Sequence, residues 1–187
     1  MAGNILIAGI GNVFKGDDAF GVEVVKRLAG QTHLLPAQVD VVDFGINGID
    51  LIYALADRYD AALLVDTTQR GGAPGTLYVI EPELPTDAAA DPADLMLTPH
   101  ELDPAKVLRM VRAMDGRCRK IVLLGCEPAD FGDEWEGKMG LTEPVAAAVD
   151  LAIELIDLRL EQWLSLQAET FGQQPIEPAQ AWAGGAA

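Results

Sequence analysis

The sequence predicts one α/β domain over residues 1–166, a twisted, mostly parallel five-stranded sheet with helices on both faces, and a flexible tail over 167–187. Five short runs have strand character, and three are almost continuously apolar, as strands covered on both faces tend to be. Helical patterns alternate with those runs, which is the order of a mostly parallel sheet. A chain of 187 residues is long enough to bury one substantial core.

In chain order, the first strand is expected at Asn4–Ala8. It runs into AGIGNVFKGDDAFGV (Ala8 to Val22), where Asp17 can cap a helix that reaches about Leu28 and is stopped by Gly30. Val39–Asp43 reads as the second strand, and the second helix follows from about Gly48 to Ala56. The third strand is AALLVD, Ala61–Asp66. After it, RGGAPG (Arg70 to Gly75) is a tight turn, so the fourth strand, Thr76–Ile80, could fold back on Ala61–Asp66 as a hairpin. One antiparallel strand in a mixed sheet is therefore expected.

Glu81–Leu97 is rich in Pro, Ala and Asp and reads as a long surface loop. Two helix starts compete beyond it. Thr98 with Glu101 forms a capping box with Pro99 at the first helical position, but it places Pro104 inside the helix at a cost of about 3 kcal/mol. Asp103 as cap with Pro104 first avoids that cost, giving a helix over Pro104–Met114 with Val107, Leu108 and Val111 on one face. Lys120–Gly125 is the fifth strand. The last helix, about Glu143 to Leu166, carries Val145, Val149, Ile153, Ile156, Leu160 and Leu164 at helical spacing. Gly172–Ala187 reads as a frayed tail.

Charge narrows the function. Thirteen Lys and Arg stand against twenty-nine Asp and Glu, a formal net charge of −16. Nucleic acid and anionic membranes both require a cationic footprint, so neither is an expected partner. No apolar run reaches the roughly 18–20 residues of a membrane span, and MAGN leads straight into a strand with no signal-peptide pattern. Cys118 and Cys126 flank a strand, which separates them by about 26 Å, far beyond disulfide reach. A reduced, cytoplasmic protein is the consistent expectation.

A strand entering a glycine-rich turn and a helix usually suggests a phosphate site, but the details disagree. Gly9 and Gly11 begin the dinucleotide pattern, whereas the third glycine position is Phe14. Asp17 and Asp18 occupy the helix start, where they would repel a pyrophosphate. No Gly-Lys-Ser or Gly-Lys-Thr follows, so the phosphate-loop pattern fails as well. If one aspartate serves as cap, the other points off the carboxyl rim of the sheet, where open α/β sheets bind ligands. A carboxylate there suits a cation. Asp66 ends a buried strand at the same rim, and His100 lies in LTPHELDP (Leu97 to Pro104), in a turn before a helix. Near a positive helix end the neutral, metal-binding imidazole is favoured. His33, in QTHLLP, has no carboxylate pattern beside it and reads as surface. Ser165 is the only serine and lies in the last helix, and no H-E-x-x-H occurs, so a serine triad and a zincin are disfavoured.

These residues carry a resemblance. GIGN (Gly9 to Asn12) followed by GDDAFG (Gly16 to Gly21) closely resembles the opening of the hydrogenase maturation endopeptidases. The likeness continues at DFGING (Asp43 to Gly48), at Val65-Asp66, at TPHE (Thr98 to Glu101) and at GLTEPV (Gly140 to Val145). It implies a peptidase that removes a C-terminal extension from a nickel–iron hydrogenase large-subunit precursor after nickel insertion. It also implies that Asp18, Asp66 and His100 contact the nickel, which is carried by the precursor rather than held stably by the free enzyme. Asp18, Asp66 or Asp43 could then act as base. The chain departs from the family's usual D-G-G-T-x-G at Phe44 and Ile46, beside Asp43. A monomer is expected. The acidic loop Gly125–Gly140, with the aromatics Phe131 and Trp135, is a candidate precursor-binding surface. The main rival is a non-proteolytic metal-sensing or chaperone module for hydrogenase assembly, and a further one is a flavodoxin-like nucleotide or flavin binder.

Overall fold

The computed structural model describes residues 3–30, 35–82, 104–133 and 135–172. Each expected strand is present, with no end shifted by more than two residues: β1 (Ile5–Ile10), β2 (Val39–Gly45), β3 (Ala61–Thr67), β4 (Leu77–Ile80) and β5 (Lys120–Cys126). The helices are α1 (Phe20–Ala29), α2 (Gly48–Asp57), α3 (Pro104–Ala113) and α4 (Glu143–Gly172). Within the described residues the strands form one sheet in the order β2-β1-β3-β5-β4, parallel except for β4.

The two-residue period of a strand divides the apolar side chains into two cores. Ile5, Ile7, Leu63, Val65, Val122 and Leu124 pack with Phe20, Val24 and Leu28 of α1 and with Val145, Val149 and Ile156 of α4. Their neighbours Leu6, Ala8, Leu64, Ile121 and Leu123 pack with Leu51 and Leu55 of α2 and with Val107 and Val111 of α3. Burial of each large side chain stabilises the fold by about 1.5–3 kcal/mol. That explains the continuous apolar runs of β1, β3 and β5, which are covered on both faces.

Two expectations change. β4 is antiparallel as expected, but it pairs with β5, from Leu77↔Cys126 to Ile80↔Leu123, and not with Ala61–Asp66. Both edges of β3 are already taken, by β1 and by β5. The connection from β3 therefore arches over the end of β5, with Thr68 N–H donating to the Cys126 carbonyl and Gly75 N–H to the Glu127 carbonyl. The second change concerns Asp17. It does not cap α1: Gly16–Ala19 is a single 3₁₀ turn, and neither that turn nor α1 has a side-chain cap.

Pro104 opens α3, which is the register that keeps proline out of the helix interior. α4 runs to Gly172, past the Leu166 expected from the apolar spacing, because helix-compatible residues continue until Pro175. Cys118 and Cys126 are buried free thiols. Most of the expected loop Glu81–Leu97, both histidines and the tail beyond 172 lie outside the described residues.

Candidate active site

β1, β2, β3 and β5 all end at one rim of the sheet. The connection from β1 goes through α1 to β2 on one side, and β3 returns on the other side of β1. The gap above β1 and β3 is thus a topological switch point, the place where crevices open in α/β sheets. Both aspartates singled out as cation contacts sit there.

The glycines of the first turn serve packing instead of phosphate. A Cβ on Gly21 would lie 2.0 Å from the Val65 carbonyl oxygen, so α1 lies with its backbone directly on the sheet. Gly11 has φ +134°, and a Cβ there would meet the Asp18 carbonyl oxygen at 1.7 Å. Only glycine lets the chain turn this tightly and bring Asp18 back over the end of β1.

Asp17 and Asp18 then diverge. Asp17 is fully buried. Its Oδ2 accepts the N–H groups of Ala129 and Asp130 at 2.8 and 2.9 Å and the Thr142 hydroxyl at 2.9 Å, while Oδ1 accepts the Thr142 N–H at 2.6 Å. Asp17 therefore holds Thr142, the residue just before α4 and more than a hundred residues away, and pins the loop after β5. It is a structural clamp. Asp18 faces the rim: Oδ2 accepts Asn12 N–H at 2.9 Å and Oδ1 accepts the Thr67 hydroxyl at 3.3 Å.

Asp66 lies at the end of β3, and its Oδ1 accepts Thr67 N–H at 2.7 Å. Thr67 thus bonds to both carboxylates, through its amide to one and through its hydroxyl to the other. Burial pushes the Asp66 carboxyl up to about 7, the Thr67 amide opposes the shift, and the neighbouring Asp18 charge adds to it. A carboxyl whose ionisation is disfavoured by burial and by a neighbouring carboxylate is one that a divalent cation would relieve. Thr67 was not singled out from the sequence. Asp-Thr-Thr at a strand end carries no motif of its own, and the role of Thr67 depends on the distance from Asp18.

Asp43, the candidate third carboxylate, is exposed at the end of β2 and accepts the N–H of Gly45 at 2.8 Å. No hydrogen bond joins it to Asp18 or Asp66 among the described residues. Phe44 packs against the α2/α3 core, whereas Ile46 is exposed. His100 lies outside the described residues, and among those described no three His, Cys, Asp or Glu converge as a metal-holding group.

Cysteine chemistry does not suit this rim. Cys126 ends β5 close by, but burial pushes its thiol up to about 12, with the Asp17 and Glu127 carboxylates adding to the shift. Burial likewise pushes Cys118 up to about 11. Neither thiol forms appreciable thiolate at neutral pH, so neither is an activated nucleophile. Glu127, also buried, has its carboxylate wrapped by the N–H groups of Arg70 and Gly71 and by the Tyr78 hydroxyl, which hold the arch after β3 in place.

Comparison with known proteins identifies the family. The family model for hydrogenase maturation proteases matches residues 22–157. The Hydrogenase 2 maturation protease of Escherichia coli (strain K12) is 31% identical over 153 residues, covering 81% of this chain and 87% of that protein. The hydrogenase expression/formation protein HupD of Rhodobacter capsulatus is 31% identical over 159 residues, covering 85% and 72%. Among solved structures, the hydrogenase maturating endopeptidase HybD from E. coli superposes with a TM-score of 0.67 at 28% identity, over 85% of this chain and 93% of that one. The hydrogenase maturation protease HycI from Thermococcus kodakarensis KOD1 gives a TM-score of 0.57 at 26% identity, over 82% and 89%. With a mostly parallel sheet of this order and matches along most of its length, the chain belongs to the hydrogenase maturation protease family and is a peptidase.

Proposed function

We propose that this chain removes the C-terminal extension of a nickel–iron hydrogenase large-subunit precursor once nickel is inserted, and that the precursor's nickel is its recognition element. The observation that supports this most is the Asp18–Thr67–Asp66 arrangement at the switch point. Burial pushes the Asp66 carboxyl up to about 7, so at neutral pH a proton competes with an ion for this group. Nickel already anchored in the precursor displaces that proton and neutralises the pair, with His100 as the expected third contact. The metal requirement then acts as a checkpoint, because an empty precursor offers the carboxylates nothing to bind.

Hydrolysis needs a water to lose a proton as its oxygen attacks the scissile carbonyl, and the leaving amine to gain one. An electrophile on the carbonyl or on the water lowers that barrier. A carboxylate near its titration midpoint at neutral pH is well matched to the proton transfer. Asp18 and Asp66 have these roles between them. Asp43 is the weaker candidate, since its carboxylate is engaged with its own turn.

The test is processing of purified nickel-loaded precursor, followed by mass spectrometry. Wild type should release the extension from loaded precursor only. Asp66→Ala and His100→Ala should lower the rate at least a hundredfold while remaining folded. Full cleavage of nickel-free precursor, or full activity of both variants, would refute the function.

A further inference from the structure

The end of the sheet away from the two carboxylates carries a groove that the proposed chemistry does not use. α1 and α4 both start at the rim and run along one face of the sheet, α1 from the turn after β1 and α4 just after Thr142, which Asp17 holds. Their far portions meet the segment that leads into β2, where the strands begin. There Leu28 of α1, Leu35 and Pro36 before β2, and Leu160 and Leu164 of α4 line a groove of about 330 Å³. Residues 157–164 lie about 21–32 Å along α4 from its first residue, so the groove is separate from the active rim.

Asp157 and Glu161 also line it, one helical turn apart. Both are exposed, whereas Leu28 and Leu160 are buried, so the carboxylates stand at the mouth and the leucines form the floor. Like charges at this spacing destabilise a helix by about 0.2–0.5 kcal/mol. Partial burial raises the Asp157 carboxyl above its usual range, the Glu161 charge adds to the shift, and no neighbouring cation opposes it. The Lys and Arg side chains of these two helices are committed elsewhere: Lys26 to Glu23, Arg27 to Asp150 and Arg159 to Glu81. Among the described residues neither Asp157 nor Glu161 belongs to an ion pair.

An apolar floor beneath two unpaired carboxylates is complementary to a segment that is both apolar and cationic. The chain's own last residues do not match it, since 173–187 contain Glu177 and neither Lys nor Arg. A second copy would bring a further charge of −16. The groove is at the small end of ligand cavities, which suits the side chains of a docking segment better than a cofactor. The field of the whole molecule draws a cationic partner inward.

We infer that this groove docks a segment of a second protein in which Lys or Arg alternates with large apolar residues, the apolar groups on Leu28, Leu160 and Leu164 and the cations on Asp157 and Glu161. Docking there leaves the active rim open. The inference does not rest on the function proposed above, and its test uses no precursor.

The test is isothermal titration calorimetry of the full chain with acetyl-Leu-Arg-Leu-Leu-Arg-amide as the probe. Its control is acetyl-Gly-Arg-Gly-Gly-Arg-amide, which has the same charge and no apolar side chains. Wild type should bind the leucine peptide at least tenfold more tightly than the glycine peptide. Asp157→Asn/Glu161→Gln should lose at least fivefold in affinity for the leucine peptide without a lower melting temperature, because it relieves a like-charge pair. Asp57→Asn/Glu154→Gln removes the same two charges from exposed positions outside the groove and should bind within twofold of wild type. Equal affinity for the two peptides would mean that bulk charge alone attracts them, and overturns the site. Equal losses in the two double variants overturn it as well. So does a full chain that gives no heat with the leucine peptide, the result expected if its own tail or a second copy fills the groove.

Discussion

Asp66 is the residue in which fold and chemistry conflict most directly. Its folded-state carboxyl titrates at about 7 against an ordinary 3.8, with burial as the largest cause. A group whose folded pKa is raised binds its proton more tightly in the native state. Stability is therefore intact below about pH 4, falls as pH climbs through the interval from 3.8 to 7, and stays reduced above it. The cost at pH 8 is on the order of 2–4 kcal/mol. Asp66→Asn removes that cost, so the metal-free variant should melt above wild type at pH 8 and with it at pH 4, by calorimetry at both values. Equal melting temperatures at pH 8 would mean the carboxyl ionises freely. Thr67 can be probed in the same way, since its hydroxyl reaches Asp18 and its amide reaches Asp66. Thr67→Val should slow processing through the lost bond to Asp18, and Thr67→Ser should restore it.

At the scale of elements, the clamp of Asp17 decides how the rim is built. A single carboxylate accepts four hydrogen bonds, from Ala129, Asp130 and the amide and hydroxyl of Thr142. It fastens the 3₁₀ turn that precedes α1 to the β5–α4 loop and to Thr142, the residue just before α4. Removal breaks four part-buried hydrogen bonds to a charged acceptor, each worth about 1 kcal/mol or more. Asp17→Ala should therefore lower the urea midpoint by an amount worth about 3 kcal/mol or more, at unchanged m-value. Asp17→Asn keeps the shape but turns an NH₂ toward other donors, so it should lie between the two. The exposed ion pairs make a contrast: Lys26–Glu23 joins two half-exposed side chains and Arg27–Asp150 joins an equally open pair. Breaking either should cost less than about 1 kcal/mol.

For the molecule as a whole, the net charge of −16 governs association. Like-charged copies repel, which favours a monomer in dilute buffer, and light scattering should return a mass near 19.9 kDa. A dimer mass would show that some surface overcomes the repulsion. If the proposed function holds, the same field would draw in a basic extension, so processing of such a precursor should slow as salt rises, with the loss appearing in KM. No helix among the described residues is long and apolar enough to cross a membrane.

Much of this was written in local pattern. The strands, the helix register at Pro104 and the mixed sheet follow from apolar periodicity and from proline geometry, and both act over a few residues. Asp66 was legible as a rim residue because a strand end is a local feature in an α/β chain, and one of Asp17 and Asp18 because the turn after β1 opens on the same rim. The hairpin partner of β4 was not, because pairing depends on which edge is free, and β5 had already taken that of β3. Nor could the sequence separate the duties of two adjacent aspartates: identical side chains one residue apart diverge only because Gly11 turns the backbone so that one faces Thr142 and the other Thr67. The sequence by itself determined which elements form and which residues reach the rim. Tertiary structure alone decided which carboxylate is a clamp and which faces the rim, because hydrogen bonds between segments more than a hundred residues apart have no local signature.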